Sequence, residues 1–382
     1  MPTSPADSAA LWAPPLAAAV PRDLCTDCGI SRTPEHKRCG TACQFIKPDY
    51  PAMEAQVHGR PRDPAKGDEL FFGPYRQMYR AKLGTALAGA QWTGITTRLG
   101  EKLLETGAVD AVLTMAPDPD DRWKPVPVLV TRAEGMAQVR GMRMGYAPLL
   151  ALLQPARDAG YKRIAVIGIP CQVHALRKIE ESLGFDRLYV IGTPCSDNTT
   201  TERFHDFLAL LADDPDSITY LEFRADYHVE LRFTDGRVKA IMAGEGEQWL
   251  VIRNERGAEL LALLGDEVKL APPGNAGKRA SAVKGFIMNV ERAAGGLPLR
   301  RMPEWVRPIV GWLMPRFGPR GLEFARTRVE MKAAETVVHL RRERPRRMKT
   351  MIPAHIWALV APYDLVPGEG ELPASKGDVR QE

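Results

Sequence analysis

Long apolar runs are missing from this sequence: nothing approaches the roughly 18 consecutive residues needed to span a bilayer. The N-terminus also lacks a basic region followed by an apolar one, so neither a transmembrane nor an exported chain is expected, and a cytoplasmic one is. Cysteine is scarce, at six in 382 residues, which excludes a small disulfide scaffold. No recognition motif or interleaved aromatic pattern points to nucleic acid. No internal repeat is found beyond two similar Pro-Cys corners. What remains, 45% apolar and 26% charged residues, suits a globular enzyme of two or three domains.

The scarce cysteines are unevenly placed. Cys25, Cys28, Cys39 and Cys43 fall within nineteen residues, and only Cys171 and Cys195 follow. In a reducing compartment clustered thiols imply metal chemistry before disulfides. The spacing C-x2-C-x10-C-x3-C fits a [4Fe–4S] shell better than zinc, whose sites usually pair two short spacings. Zinc and a disulfide pair stay as alternatives. An iron–sulfur centre beside an anionic cofactor implies electron transfer. Clusters pass single electrons, so a flavin is the natural partner for reducing a carbon centre.

Charge is also concentrated. The net +5 equals the charge of one run, Arg341, Arg342, Arg344, Arg346, Arg347 and Lys349 around Glu343, so the rest of the chain balances. Such a patch suits an acidic partner, or is simply a solvated helix end.

Short apolar runs at 108–115, 163–168 and 188–192, separated by helical stretches, predict an α/β fold with a mixed, largely parallel sheet and flanking helices. Residues 1–22, rich in Ala and Pro, read as a mobile leader, 23–66 as an irregular iron–sulfur segment, 67–271 as the α/β core, and 272–382 as a mostly helical, basic region. Residues 67–90 read as helical. A break at 91–97 precedes a helix from Arg98, and such a turn offers backbone N–H groups to a phosphate or caps the helix. Strands are predicted at 218–224, 228–233 and 248–253. Two strands end in Gly168-Ile-Pro-Cys171 and Gly192-Thr-Pro-Cys195, where ligands collect in open α/β sheets. The apolar stretch 302–314 could lie on a membrane surface, receive a greasy substrate, or cover the core.

Several motifs then point one way: the cysteine segment with Gln44-Phe-Ile, Val57-His-Gly-Arg60, Gly89-Ala-Gln-Trp-Thr-Gly-Ile95, Arg140-Gly-Met-Arg-Met-Gly145, Ile167-Gly-Ile-Pro-Cys-Gln172, the run from Ile191 to Thr201, Tyr220-Leu-Glu-Phe-Arg224 and Gly246-Glu-Gln-Trp-Leu250. From about Cys25 to Pro362 the chain resembles the deazaflavin-dependent hydrogenase/dehydrogenase beta-subunit family. Within it the likeness is to the ferredoxin-dependent 3,8-divinyl chlorophyllide 8-vinyl reductases, a branch related to 7-hydroxymethyl chlorophyll reductase. The resemblance implies FAD, two [4Fe–4S] clusters, reduced ferredoxin as donor, and a chlorophyllide-type tetrapyrrole whose 8-vinyl group becomes ethyl; the basic run suits an acidic ferredoxin, though no family motif assigns it that role. It also admits a place at the periphery of a photosynthetic membrane. Cys25, Cys28, Cys39 and Cys43 would match one cluster, and Cys171 with Cys195 part of the other. Gln91, Trp92, Thr93, Gly94, Thr96, Thr97, Arg140, Met142, Asn198 and Thr199 are the flavin candidates, and Asp197 and His205 the candidate proton donors.

One departure stands out. Members of that branch carry a further C-x2-C before the Gly-Glu-Gln-Trp-Leu motif, and residues 236–246 here contain no cysteine. Six thiols cannot furnish two shells of four. The second cluster is therefore absent, or takes other ligands, or the chain is an internally shortened, non-catalytic iron–sulfur protein. Reduction of another tetrapyrrole substituent, such as 7-hydroxymethyl, is the alternative activity.

Overall fold

A computed structural model describes residues 10–18, 25–63, 65–66, 68–195, 198–223, 229–242, 247–273, 283–285, 287–288, 305, 309 and 321–372. The chain forms two compact units, one of Met1–Cys43 with Ala81–Ala271, the other of Gln44–Arg80 with Pro272–Glu382.

The strands in chain order are β1 (Leu11–Trp12), β2 (Gln77–Leu83), β3 (Ala111–Pro117), β4 (Pro125–Val130), β5 (Arg163–Gly168), β6 (Arg187–Gly192), β7 (Ile218–Phe223), β8 (Val229–Phe233), β9 (Val238–Met242), β10 (Gln248–Ile252) and β11 (Val268–Ala271). The first unit is built on a five-stranded sheet ordered β1-β4-β3-β5-β6. β5 lies parallel to β3 and to β6, with Val112 opposite Ala165 and Val166 opposite Val190. Successive side chains point to opposite faces, and both faces are covered. Val112, Ala165 and Tyr189 pack under the helices Ile95–Glu105 and Glu255–Leu264. Leu113, Ile164, Val166 and Leu188 pack against Leu149–Leu153 and the helix Pro170–Ile179.

The expected largely parallel sheet is corrected to an evenly mixed one. β4 runs antiparallel to β3 and to β1, so parallel and antiparallel pairs are equal in this sheet. Pro125 and Pro127 hid β4, because proline cannot donate to a ladder and argues against a strand. The stretch read as a leader supplies β1, whose Leu11 and Trp12 pair with Val130 and Leu129. Residues 77–83 form a strand rather than continuing a helix: Met78 and Ala81 are buried three apart, a helical spacing, but Gly73-Pro74 ends the short helix Glu69–Phe72 first. β7, β8 and β9 form an antiparallel sheet whose Ile218, Leu221 and Leu231 pack on Trp123, Phe204 and Leu208.

In the second unit the helix Gly321–Glu343 shares a core with Trp357, Val360 and Tyr363. Among the described residues no helix is long and apolar enough to cross a membrane. The stretch 302–314 lies outside the described residues apart from Trp305 and Ile309. Part of the basic run is structural: Arg341 binds Glu371 at 2.8 Å and lies over Trp357. Arg344, Arg346, Arg347 and Lys349 are exposed.

Glu69 gives this unit an acid limit. A hydrogen bond from Arg60 outweighs burial, and with the Asp63 N–H it holds the carboxyl at about 2 against an ordinary 4.5. A depressed carboxylate stabilises the fold fully above its unfolded pKa, and the contribution fades as pH falls from about 4.5 toward 2. Glu69→Gln is expected to flatten the pH dependence of unfolding in that window, measured by urea midpoints, and to leave its shape above pH 5 unchanged.

Candidate redox site

The cysteine segment is fastened at the carboxyl end of β5. Leu150 N–H donates to Cys28 O at 2.9 Å. Gly29 sits at φ 105°, and a Cβ there would fall 2.4 Å from Ala151 N, so only glycine lets the two backbones close. The short helix Cys39–Ala42 lies on Pro170–Ile179, where His174 Nδ1–H donates to Ala42 O at 2.9 Å. Arg38 reaches Ser182 Oγ at 3.2 Å and the Lys178 carbonyl.

These fastenings bring Cys171, remote in sequence, among the N-terminal thiols. Burial pushes the Cys28 thiol up to about 12; the Ile30 backbone N–H opposes this, and Cys39, Cys171 and Cys43 each add to it through their charge. Burial also raises Cys171, with the Thr26 hydroxyl opposing and Cys195 adding. Asp27 N–H donates to Cys25 Sγ at 3.3 Å. No disulfide joins any of the six cysteines. Half-buried thiols beside one another suit a cation that would compensate the charge of their thiolates. Among the described residues no three His, Cys, Asp or Glu side chains are gathered tightly enough for a single ion. Four thiols on one docked segment, with Cys171 brought beside them, are a donor set of the chemistry that a four-iron cluster takes.

A second group of residues surrounds the turn before the helix Ile95–Glu105. Gly94, at φ 93°, starts the helix Ile95–Glu105 with no side-chain cap, leaving first-turn N–H groups available to an anion. Trp92 is also left-handed, at φ 55°. Its N–H donates to the buried Glu222 carboxylate, and Tyr220 OH donates to Ala90 O at 3.2 Å. Burial, with Glu222 close by, pushes the Tyr220 phenol above its ordinary range. Thr93 Oγ1 accepts from Leu83 N–H at 2.9 Å, and Gln91 O accepts from Gly94 N–H. Thr97 is buried and Thr96 half-buried in the first turn. Arg140 donates to Ala88 O at 3.3 Å and pairs with Glu101 at 2.8 Å, which sets the 140–145 loop beside this turn. Asn198 Nδ2 donates to Gly145 O at 3.1 Å, and Thr199 N–H donates to Asn198 Oδ1. Met142 packs into the Trp123–Phe204 cluster.

His205 Nε2 pairs with Asp121 Oδ2 at 2.8 Å. Burial raises the Asp121 carboxyl, but hydrogen bonds from His205 and the Trp123 backbone outweigh it and leave the group below its ordinary range. Asp197 lies outside the described residues. Sequence reasoning missed Asp121, Glu222 and Arg143. Tyr220 and Glu222 sit two apart in a motif that was noted without a role, and that spacing puts both on one strand face.

Glu222→Ala is expected to strand the Trp92 N–H and cost roughly 1–3 kcal/mol, whereas Glu222→Gln keeps an acceptor and most of the stability. Urea unfolding of the two variants checks this; equal losses would assign the effect to charge alone.

Two family models match the chain: coenzyme F420 hydrogenase/dehydrogenase beta subunit N-term over residues 78–154, and the C terminus of the same subunit over 161–244. The chain is 30% identical to the 7-hydroxymethyl chlorophyll a reductase of Oryza sativa, over 90% of this chain and 83% of that protein. The chain belongs to the coenzyme F420 hydrogenase/dehydrogenase beta-subunit family. It is also 29% identical to an uncharacterized protein of Nostoc over 90% of this chain and 94% of that one. The F420-reducing [NiFe] hydrogenase complex of Methanosarcina barkeri contains a chain that matches the fold with a TM-score of 0.50 at 18% identity, covering 73% of this chain and 94% of that chain. The family's two matched segments hold the Trp92 turn, the 140–145 loop, both Pro-Cys corners and β7 to β9, while the four N-terminal cysteines precede them.

Proposed function

We propose that this protein is an iron–sulfur flavoprotein reductase that takes electrons from reduced ferredoxin and reduces the 8-vinyl group of a divinyl chlorophyllide-type tetrapyrrole to ethyl. One observation carries the reading: the segment bearing Cys28, Cys39 and Cys43 is docked on the helix Pro170–Ile179, which brings Cys171 among its thiols. Identity to a chlorophyll reductase across 90% of the chain supports the tetrapyrrole.

On this reading Cys25, Cys28, Cys39 and Cys43 hold a [4Fe–4S] cluster, with Cys171 and Cys195 beside it. The turn from Gln91 to Thr97, with Arg140, Met142, Asn198 and Thr199, holds FAD. Bound there, the cluster passes electrons singly and the flavin pairs them for delivery to carbon. His205, oriented by Asp121, or Asp197 supplies the proton to the second vinyl carbon. Arg342, Arg344, Arg346, Arg347 and Lys349 face an acidic ferredoxin, whereas Arg341 is already engaged by Glu371.

Anaerobic incubation with divinyl chlorophyllide, reduced ferredoxin and FAD tests the proposal, with product mass as the readout. Gain of two hydrogens is expected, and an unchanged pigment would sink the activity. The named rice relative favours a second reading, reduction of a 7-hydroxymethyl group, for which the product loses an oxygen.

A further inference from the structure

Among the described residues Arg143 is a cation without a counter-charge. It lies in the Arg140–Gly145 loop, which its hydrogen bonds pin to β3, and pinning backbone carbonyls does not by itself use its charge. Its guanidinium donates to three backbone carbonyls, Arg140 O at 2.9 Å, Met115 O at 3.2 Å and Val139 O at 2.5 Å. No carboxylate among the described residues pairs with it, whereas its neighbour Arg140 has Glu101. Burial alone acts on it and pulls its pKa down to about 10, so it stays charged at neutral pH. Burying an uncompensated cation is costly, and carbonyl dipoles offset only part of that cost. Donors also remain: a guanidinium carries five N–H bonds, and the three carbonyls take three.

Its position is informative. Met115 belongs to the carboxyl end of β3, beside parallel β5, where open α/β sheets receive ligands. The uncapped helix start at Gly94 lies across the Arg140–Ala88 contact.

We propose that Arg143 is an anion-binding residue whose remaining guanidinium donors take an oxyanion, either a phosphate of the bound flavin nucleotide or a carboxylate of the substrate. The choice of these two sources rests on the function proposed above; the oxyanion chemistry does not.

The experiment uses the full chain freed of flavin and compares wild type, Arg143→Gln and Arg143→Lys by titration with inorganic pyrophosphate, FAD, riboflavin, and a chlorophyllide as free acid and as ester. Loss of a charge-assisted hydrogen bond predicts about 10- to 100-fold weaker binding of the oxyanion to Arg143→Gln, with Arg143→Lys intermediate. A loss for FAD and pyrophosphate but not riboflavin assigns the phosphate. A loss confined to the free-acid pigment assigns the carboxylate. Affinities unchanged between wild type and Arg143→Gln in every arm overturn the proposal. Wild type that binds pyrophosphate through Arg143 but neither FAD nor pigment would reject the flavoprotein reading and keep the anion site.

Discussion

Replacing Cys39 with serine is expected to reduce the iron bound after anaerobic reconstitution from about four atoms per chain to less than about one. Cys39 is buried in the core of the first unit, one turn before Cys43, on a short helix pinned to Pro170–Ile179 by His174 and Arg38. That mounting fixes where its sulfur sits. A hydroxyl is a poor ligand for iron–sulfur chemistry, yet serine nearly matches the volume, so the fold should survive and the loss be chemical. Iron assay and the visible absorption band report the cluster, and far-UV circular dichroism reports the fold. Iron retained at the wild-type level in a folded Cys39→Ser chain would exclude this thiol as a ligand.

Gly29→Ala should do as much damage by a different route. At φ 105° an alanine is strained before any contact is counted, and its Cβ would meet Ala151 N, Leu150 N and Pro148 O, all backbone. Backbone cannot step aside as a flexible side chain does. The segment carrying Cys28 must lift away, breaking the Leu150 N–H to Cys28 O bond and exposing Ile30, which is fully buried. A loss of roughly 3 kcal/mol or more is expected, seen as a lower urea midpoint together with failure to take up iron. A variant as stable as wild type that still assembles its cluster would show that the segment does not need this docking.

Much of the fold was legible because it follows period and punctuation. β5 was read residue for residue, since Ile164 to Ile167 is a continuous apolar run between Arg163 and Gly168, the pattern of a strand covered on both faces. β4 was missed because its prolines obey the rule for edge strands, and its partner β1 is only two residues long. Residues 77–83 misled because Met78 and Ala81 fall at helical spacing on a strand of irregular burial.

The site divided along the same line. Thiol spacing and glycine-flanked turns are local, so the cysteine segment and the Trp92 turn could be marked from sequence. Contacts across the fold could not. Nothing in the chain's order places Cys171 beside Cys28, joins Glu222 to Trp92, or, among the described residues, leaves Arg143 without a carboxylate while Arg140 gains one. Those facts are set by which strand ends meet.

On the proposed function the first unit holds one iron–sulfur cluster and a flavin. An anaerobic absorption spectrum of the purified, reconstituted chain, with iron, zinc and flavin counted on the same sample, tests it most directly. About four irons and about one FAD per chain are predicted, because residues 236–246 lack the cysteines for a second full shell. Zinc in place of iron, with no flavin bound, would contradict the claim.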